Sequence, residues 1–256
     1  MSKDYIEPDR PLRWYRKLST GKGRLAAEAF TVEGERAVAQ IARVCPGAIM
    51  EIVALAEYSS RWFPYPLRVL SEKDYKSISA TKTPQGIMAV VRLPVTCYSS
   101  SLPEQPSNRI LLLEDIQDPG NVGALIRTAA AFDFSGVILT EKCADPFSPK
   151  CVQASAGSVL SLWIRKTSDY LLLVKNLKYA GCAVMVADIR GSDQPSTLSS
   201  RPRLVLALGN ETAGPSDALL KMADQAVAIP VSREKAESLN VAACGAICMY
   251  LCSQTV

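Results

Sequence analysis

The sequence predicts a two-part α/β protein. A smaller α/β unit spans residues 1–107, and a larger unit with a mostly parallel sheet spans 108–256. Three observations carry this. Short apolar runs alternate with helical stretches through residues 109–256, as expected of strands joined by helical crossovers. The segment Thr96 to Asn108, TCYSSSLPEQPSN, is rich in Ser and Pro and lacks apolar periodicity, so it reads as a linker. Charge divides at the same place: residues 1–108 hold 15 Lys and Arg against 11 Asp and Glu, whereas 109–256 hold 14 of each.

The first unit opens on a basic stretch. Arg10, Arg13, Arg16, Lys17, Lys22 and Arg24 follow one another with no acid between them, and Trp14 and Tyr15 are interleaved. Cations suit phosphates and rings suit bases, so this is a candidate RNA-binding surface. A solvated helix explains the segment equally well. Glu33 to Val44 places Ala37, Val38, Ile41, Ala42 and Val44 at helical spacing. Ile52 to Ala56, Arg68 to Leu70 and Gly86 to Arg92 read as strands.

In the second unit, strands are predicted at 110–114, 137–140, 162–165, 183–187, 204–208 and 225–229. Helices are predicted at 122–132, 168–180, 215–222 and 238–252. Ligands bind beyond the carboxyl ends of such strands. Three loops fall there: Asp115 to Asn121, Gly209 to Gly214 and Pro230 to Glu237.

Composition narrows the chemistry. With 256 residues and 48% hydrophobic content, a sizeable core can form. The longest apolar runs, such as Leu204 to Leu208, fall far short of the roughly 20 residues of a membrane span. The start lacks an apolar signal region, so a cytoplasmic location is expected. The eight cysteines read as free thiols. Cys244, Cys248 and Cys252 share one helical face, which suits packing better than a metal that needs ligands all round. No histidine is present, so Ser-His-Asp and Cys-His mechanisms are excluded.

Three motifs sit on the predicted loops. In Asp118-Pro-Gly-Asn-Val-Gly-Ala-Leu-Ile-Arg127, a Pro-Gly turn leads into a helix, with Asn121 as candidate N-cap and Arg127 six residues on. The apolar flanks of Arg127 predict a buried side that needs a polar partner. In Leu206 to Ser216, Gly209 ends a strand, Asn210 and Glu211 follow, Gly214 permits a tight turn and Pro215 can begin a helix. In Ile229 to Val241, a charged loop leads to Ser238, which can cap the last helix. Each motif alone has a structural explanation as a cap, a turn or an internal salt bridge.

Together, in this order, they resemble the signature motifs of SpoU/TrmH-type RNA 2′-O-ribose methyltransferases of the SPOUT superfamily. Asn121 and Arg127 match the first motif, Gly209, Asn210, Glu211 and Gly214 the second, and Ile229, Pro230, Ser238, Leu239, Asn240 and Val241 the third. The resemblance covers residues 109–256. The stretches Phe30 to Arg36 and Thr83 to Val90 resemble the family's ribosomal-protein-like substrate-binding domain. Three departures stand out: Val231 in place of Met, seven residues between Pro230 and Ser238 where six are common, and Thr212-Ala213 in place of a Gly-containing pair.

The resemblance implies a C-terminal trefoil knot, a homodimer and S-adenosylmethionine as cofactor. It implies structured RNA, most often ribosomal, as substrate. It assigns catalysis to Asn121, Arg127, Glu211, Ser238 and Asn240, with Arg127 gripping the reacting nucleotide. Cofactor contacts fall on Ala187, Leu208, Gly209, Asn210, Gly214, Ile229, Val231 and Leu239, largely through backbone groups. A catalytically silent RNA-binding factor and a tRNA ribose methyltransferase are the alternatives on the same fold. An unrelated nucleotide-binding enzyme lacks support, since neither glycine-rich phosphate fingerprint is present.

Overall fold

The computed structural model describes residues 10–58, 62, 64–232, 234–235 and 237–254. In chain order the elements are α1 (Leu12–Lys17), α2 (Gly21–Ala27), β1 (Ala29–Glu33), α3 (Glu35–Val44), β2 (Ile49–Ala54), β3 (Leu67–Val69), α4 (Glu72–Ile78) and β4 (Ile87–Arg92). Then follow β5 (Arg109–Leu113), α5 (Pro119–Ala131), β6 (Gly136–Leu139), α6 (Pro149–Ser155), β7 (Trp163–Lys166) and α7 (Tyr170–Tyr179). The chain closes with β8 (Ala183–Ala187), β9 (Leu204–Leu208), α8 (Asp217–Met222), β10 (Gln225–Val227) and α9 (Val241–Ser253).

Two sheets result. The first four strands form one in the order β1-β4-β2-β3, antiparallel except for β2 with β3. The other six form an all-parallel sheet in the order β10-β8-β9-β5-β6-β7. Its strands are apolar on both faces because helices cover both. Leu111, Leu113, Val137, Leu206 and Leu208 face the side occupied by α5, α6 and α9. Ile110, Leu112, Ile138, Val184 and Val205 face α7 and α8.

The two lobes are not loosely tethered. Phe30, Val32 and Ile41 belong to the same apolar cluster as Val122, Leu125 and Phe147, and the Phe30 and Phe147 rings lie 4.9 Å apart. The segment expected as a linker is docked. Cys97 is buried in a 3-10 turn, the Arg165 Nε donates to Ser101 O at 2.7 Å, and Trp163 Nε1 donates to Pro106 O at 3.2 Å. Its Ser and Pro residues forgo helix and sheet, yet their carbonyls serve as acceptors for β7.

Arg24 joins the lobes too. It is 3% exposed, donates to Leu18 O at 2.9 Å and pairs with Asp145 across the boundary. The expectation that Arg24 lies on an RNA surface is therefore corrected: its charge is spent inside. Tyr15, also expected to face a base, is buried, and its hydroxyl donates to Glu51 at 3.0 Å. Burial, reinforced by Glu51, pushes its phenol up to about 12. Trp14 is half-buried in the same small core, with the Arg10 guanidinium 4.5 Å from its ring centre. Arg13, Arg16, Lys17 and Lys22 remain exposed, whereas Arg10 is half-buried and bonded to Glu51 at 2.8 Å.

Candidate active site

The three loops meet at the carboxyl ends of β5, β9 and β10. Asp118, not Asn121, caps α5: its carboxylate accepts from the N–H groups of Gly120 at 2.6 Å and Asn121 at 3.0 Å. The Lys150 ammonium, 3.0 Å away, and these N–H groups hold its pKa below the ordinary carboxylate value. Asn121 is thereby released from capping. Its Nδ2 donates to Glu211 Oε1 at 3.0 Å, and its Oδ1 accepts from Asn240 Nδ2 at 3.1 Å.

Asn240, not Ser238, caps α9. Its Oδ1 accepts from the N–H of Ala242 at 2.9 Å and of Ala243 at 3.4 Å. Two ends of one side chain thus serve different purposes, one fixing α9 and the other joining the polar chain Asn240–Asn121–Glu211. One residue from each motif is drawn into that chain.

Asn210 stabilises the loop that carries Glu211. Its Oδ1 accepts from Thr212 N and Ala213 N, each at 3.0 Å, and its Nδ2 donates to Asp115 O at 2.8 Å. The turn closes at Gly214, whose φ of 72° an L side chain rarely adopts. Pro215 does not begin the helix; the Ser216 hydroxyl caps α8 instead. Behind the loop lies Glu114, 4% exposed, a buried carboxylate that sequence reading did not single out.

A cavity of about 560 Å³ opens where β8, β9 and β10 end. Ala187, Leu208, Gly209, Asn210, Gly214, Ile229, Val231 and Leu239 all line it, together with Glu211 and Ser238. Among the described residues the Ser238 hydroxyl has no hydrogen-bond partner. Lining residues that the sequence did not assign to the site include the polar groups Asp188, Arg190, Glu237 and Cys244. Cys244, Cys248 and Cys252 do share the inner face of α9, and the first of them reaches the cavity wall. Strand β10 stops at Val227, so Ile229 and Pro230 belong to the loop rather than to a strand end. Of that loop, Arg233 and Ala236 lie outside the described residues.

Arg127 departs from its expected setting. It is exposed, its side chain makes no hydrogen bond or ion pair among the described residues, and it does not line the cavity. Six residues turn a helix through about 600°, so Arg127 and Asn121 leave α5 in different directions. The apolar neighbours Leu125 and Ile126 face the core and leave the arginine outside.

A cavity beyond the carboxyl ends of neighbouring parallel strands, apolar inside and polar at the mouth, defines an α/β protein with a built small-molecule site. The chain belongs to the SpoU rRNA Methylase family, whose model matches residues 108–250. It is 32% identical over 244 residues to the 23S rRNA (guanosine(2553)-2'-O)-methyltransferase RlmP of Bacillus subtilis, covering 92% of this chain and 93% of that one. An AdoMet-bound rRNA methyltransferase from Sinorhizobium meliloti matches with TM-score 0.79 and 27% identity, covering 98% of this chain and 96% of that one. The SpoU methyltransferase AviRb from Streptomyces viridochromogenes, solved with AdoMet, shares the fold with TM-score 0.81 and 24% identity over 96% of this chain and 98% of that one.

Proposed function

We propose that the protein transfers a methyl group from S-adenosylmethionine to a ribose 2′-hydroxyl of ribosomal RNA. The carrying observation is the hydrogen-bonded chain Asn240–Asn121–Glu211, one residue from each family motif, which reaches the cavity lining through Glu211 while Asn121 and Asn240 stand behind it. The cavity fits the cofactor. Its volume lies within the roughly 300–1,000 Å³ of small-molecule sites, and Leu208, Val227, Ile229 and Leu239 offer apolar walls to a purine ring. When bound, S-adenosylmethionine supplies the methyl group and its own leaving group.

The chain's residues then orient and polarise. Glu211 draws the Asn121 amide toward itself, and Asn121 in turn fixes Asn240, so three polar side chains face the ribose in one set arrangement. Arg127 grips the RNA phosphate and the reacting hydroxyl. Its planar fork of N–H donors suits it to act as a clamp and not as a base.

Arg127 does not reach its own chain's cavity, which supports a homodimer in which it serves the partner's site. The outer face of α9 supports the same reading: Ile247 and Tyr250 are exposed there. The trefoil knot belongs to this proposal too. Helix α9 is packed against α5 and β9 on one side and against the 195–200 turn on another. A side chain at Gly245 would meet the methyl ends of Leu125 and Leu208, which would have to shift to admit it. The N-terminal lobe, with Arg13, Arg16, Lys17 and Lys22 exposed, holds the RNA.

The test has two parts. Mapping 2′-O-methylation in total ribosomal RNA with and without the gene should reveal one lost ribose methylation. Purified protein should restore it with labelled S-adenosylmethionine. Unchanged methylation in ribosomal RNA, with restored signal in transfer RNA, would reassign the substrate.

A further inference from the structure

Arg190 stands in the loop after β8, at the mouth of the cavity. Asp188, its side chain 5% exposed, holds it. The Arg190 N–H donates to Asp188 Oδ1 at 2.9 Å, Nε lies 3.1 and 3.2 Å from the two carboxylate oxygens, and Nη2 donates to Oδ2 at 2.8 Å. One edge of the planar fork is thus occupied. Nη1 has no partner among the described residues, and the side chain is 65% exposed.

Charge around the mouth is asymmetric. Arg190 is the one cation among the described residues lining the cavity, while Glu211 and Glu237 are exposed carboxylates on the same rim. Apart from Asp188, which Arg190 covers, the buried part of the lining is apolar, from Leu208, Val227 and Val241. A ligand with an aromatic end and a zwitterionic end therefore places the ring inward and its charges at the mouth, since an ion loses hydration inside without repayment. Its ammonium suits the two glutamates, and its carboxylate has Arg190 alone.

We propose that Arg190, oriented by Asp188, binds the carboxylate of the amino-acid end of S-adenosylmethionine and so selects for cofactors that carry it. This rests on the cofactor reading of the cavity given above. A guanidinium can serve two carboxylates through its two edges, and its fixed fork makes the second contact geometrically selective. Arg190 is a cofactor-binding residue and Asp188 a positioning residue that acts through it.

The experiment compares two ligands by calorimetry on the full chain. S-adenosylhomocysteine keeps the amino-acid end; 5′-methylthioadenosine keeps the adenosine and thioether but lacks it. Arg190→Gln should weaken S-adenosylhomocysteine roughly 10- to 100-fold, as for a lost charge-assisted contact, and leave 5′-methylthioadenosine unchanged. Asp188→Asn should produce a smaller loss in the same selective pattern, and Arg190→Lys an intermediate one. An equal loss for both ligands, or none for S-adenosylhomocysteine, would overturn the assignment while leaving the cofactor reading intact. Wild-type protein that binds neither ligand would overturn the cofactor reading and this assignment with it. Melting curves on the same samples confirm that each variant is folded.

Discussion

The buried carboxylate of Glu114 accepts both the backbone N–H and the hydroxyl of Ser216, at 2.7 and 2.6 Å. The Tyr170 hydroxyl donates to the same carboxylate at 2.5 Å, and the Glu114 N–H donates to Leu208 O at 2.9 Å. Leu208 and Ser216 bracket the loop that carries Gly209, Glu211 and Gly214. One residue just past the end of β5 therefore pins both ends of the loop.

Glu114→Ala should accordingly cost about 2 kcal/mol in urea unfolding, because it removes three hydrogen bonds to a buried carboxylate from the half-buried Tyr170 and the exposed Ser216. Glu114→Gln keeps the shape and one acceptor oxygen and should cost less. Equal stability of Glu114→Ala and wild type would show that the loop holds itself.

Arg127→Ala separates a catalytic from a structural arginine. With no partner among the described residues, its loss should change stability by less than about 0.5 kcal/mol. Labelled methyl incorporation should fall at least roughly 100-fold, the scale of a lost transition-state contact. Arg127→Lys should not restore the rate, since an ammonium cannot reproduce the fork. A dimeric Arg127→Ala protein with wild-type turnover would remove Arg127 from the mechanism.

The Asp188–Arg190 pair gives a pH signature. The hydrogen bonds from Arg190 hold the Asp188 pKa below its ordinary value, with Asp217 adding its field at Arg190. A carboxyl whose folded pKa is depressed contributes stability above its unfolded pKa, about 3.9, and loses it as pH falls through the folded value. The melting temperature of Asp188→Asn should lie below wild type at pH 7, and the gap should close below about pH 4. A gap independent of pH would place the effect in packing instead.

Cysteine labelling reads cofactor occupancy. All eight thiols are free, and only Cys45 and Cys244 are half-exposed among them. Burial pushes Cys97 and Cys252 up to about 12, whereas a hydrogen bond with Cys248 lowers Cys244. Brief alkylation followed by mass spectrometry should mark Cys45 and Cys244 first. S-adenosylhomocysteine should protect Cys244 and leave Cys45 unchanged. Undiminished labelling of Cys244 with saturating ligand would place the ligand elsewhere.

Much of the parallel sheet was legible because its strands are continuous apolar runs. Ala183–Ala187 and Leu204–Leu208 match their predicted bounds to the residue. Helix α6 was not, since seven residues give too few turns for a period to emerge. The caps were misassigned for a local reason. Asp118 and Asn121 are both good caps, as are Ser238 and Asn240, and sequence alone does not say which carboxamide is needed elsewhere. Arg127 misled because apolar flanks on a helix say only that two of three neighbouring faces are buried. Arg190 carried no sequence signal at all; its role emerges only when the loop after β8 meets those after β9 and β10. The composition changes near Thr96 to Asn108, but the core shared by Phe30 and Phe147 on either side of that segment was not visible in it.

That shared core has a geometric consequence. Interiors packed like crystals transmit position faithfully. The exposed cations of α1 and α2 and the mouth of the cavity therefore keep a constant separation, as two jaws of a caliper locked at one setting. An RNA that rests its phosphates on the first must present a ribose at one fixed reach to be methylated. On the proposed placement of the RNA, the folded shape of the target, measured as a length, would then count for more than the letters that surround it.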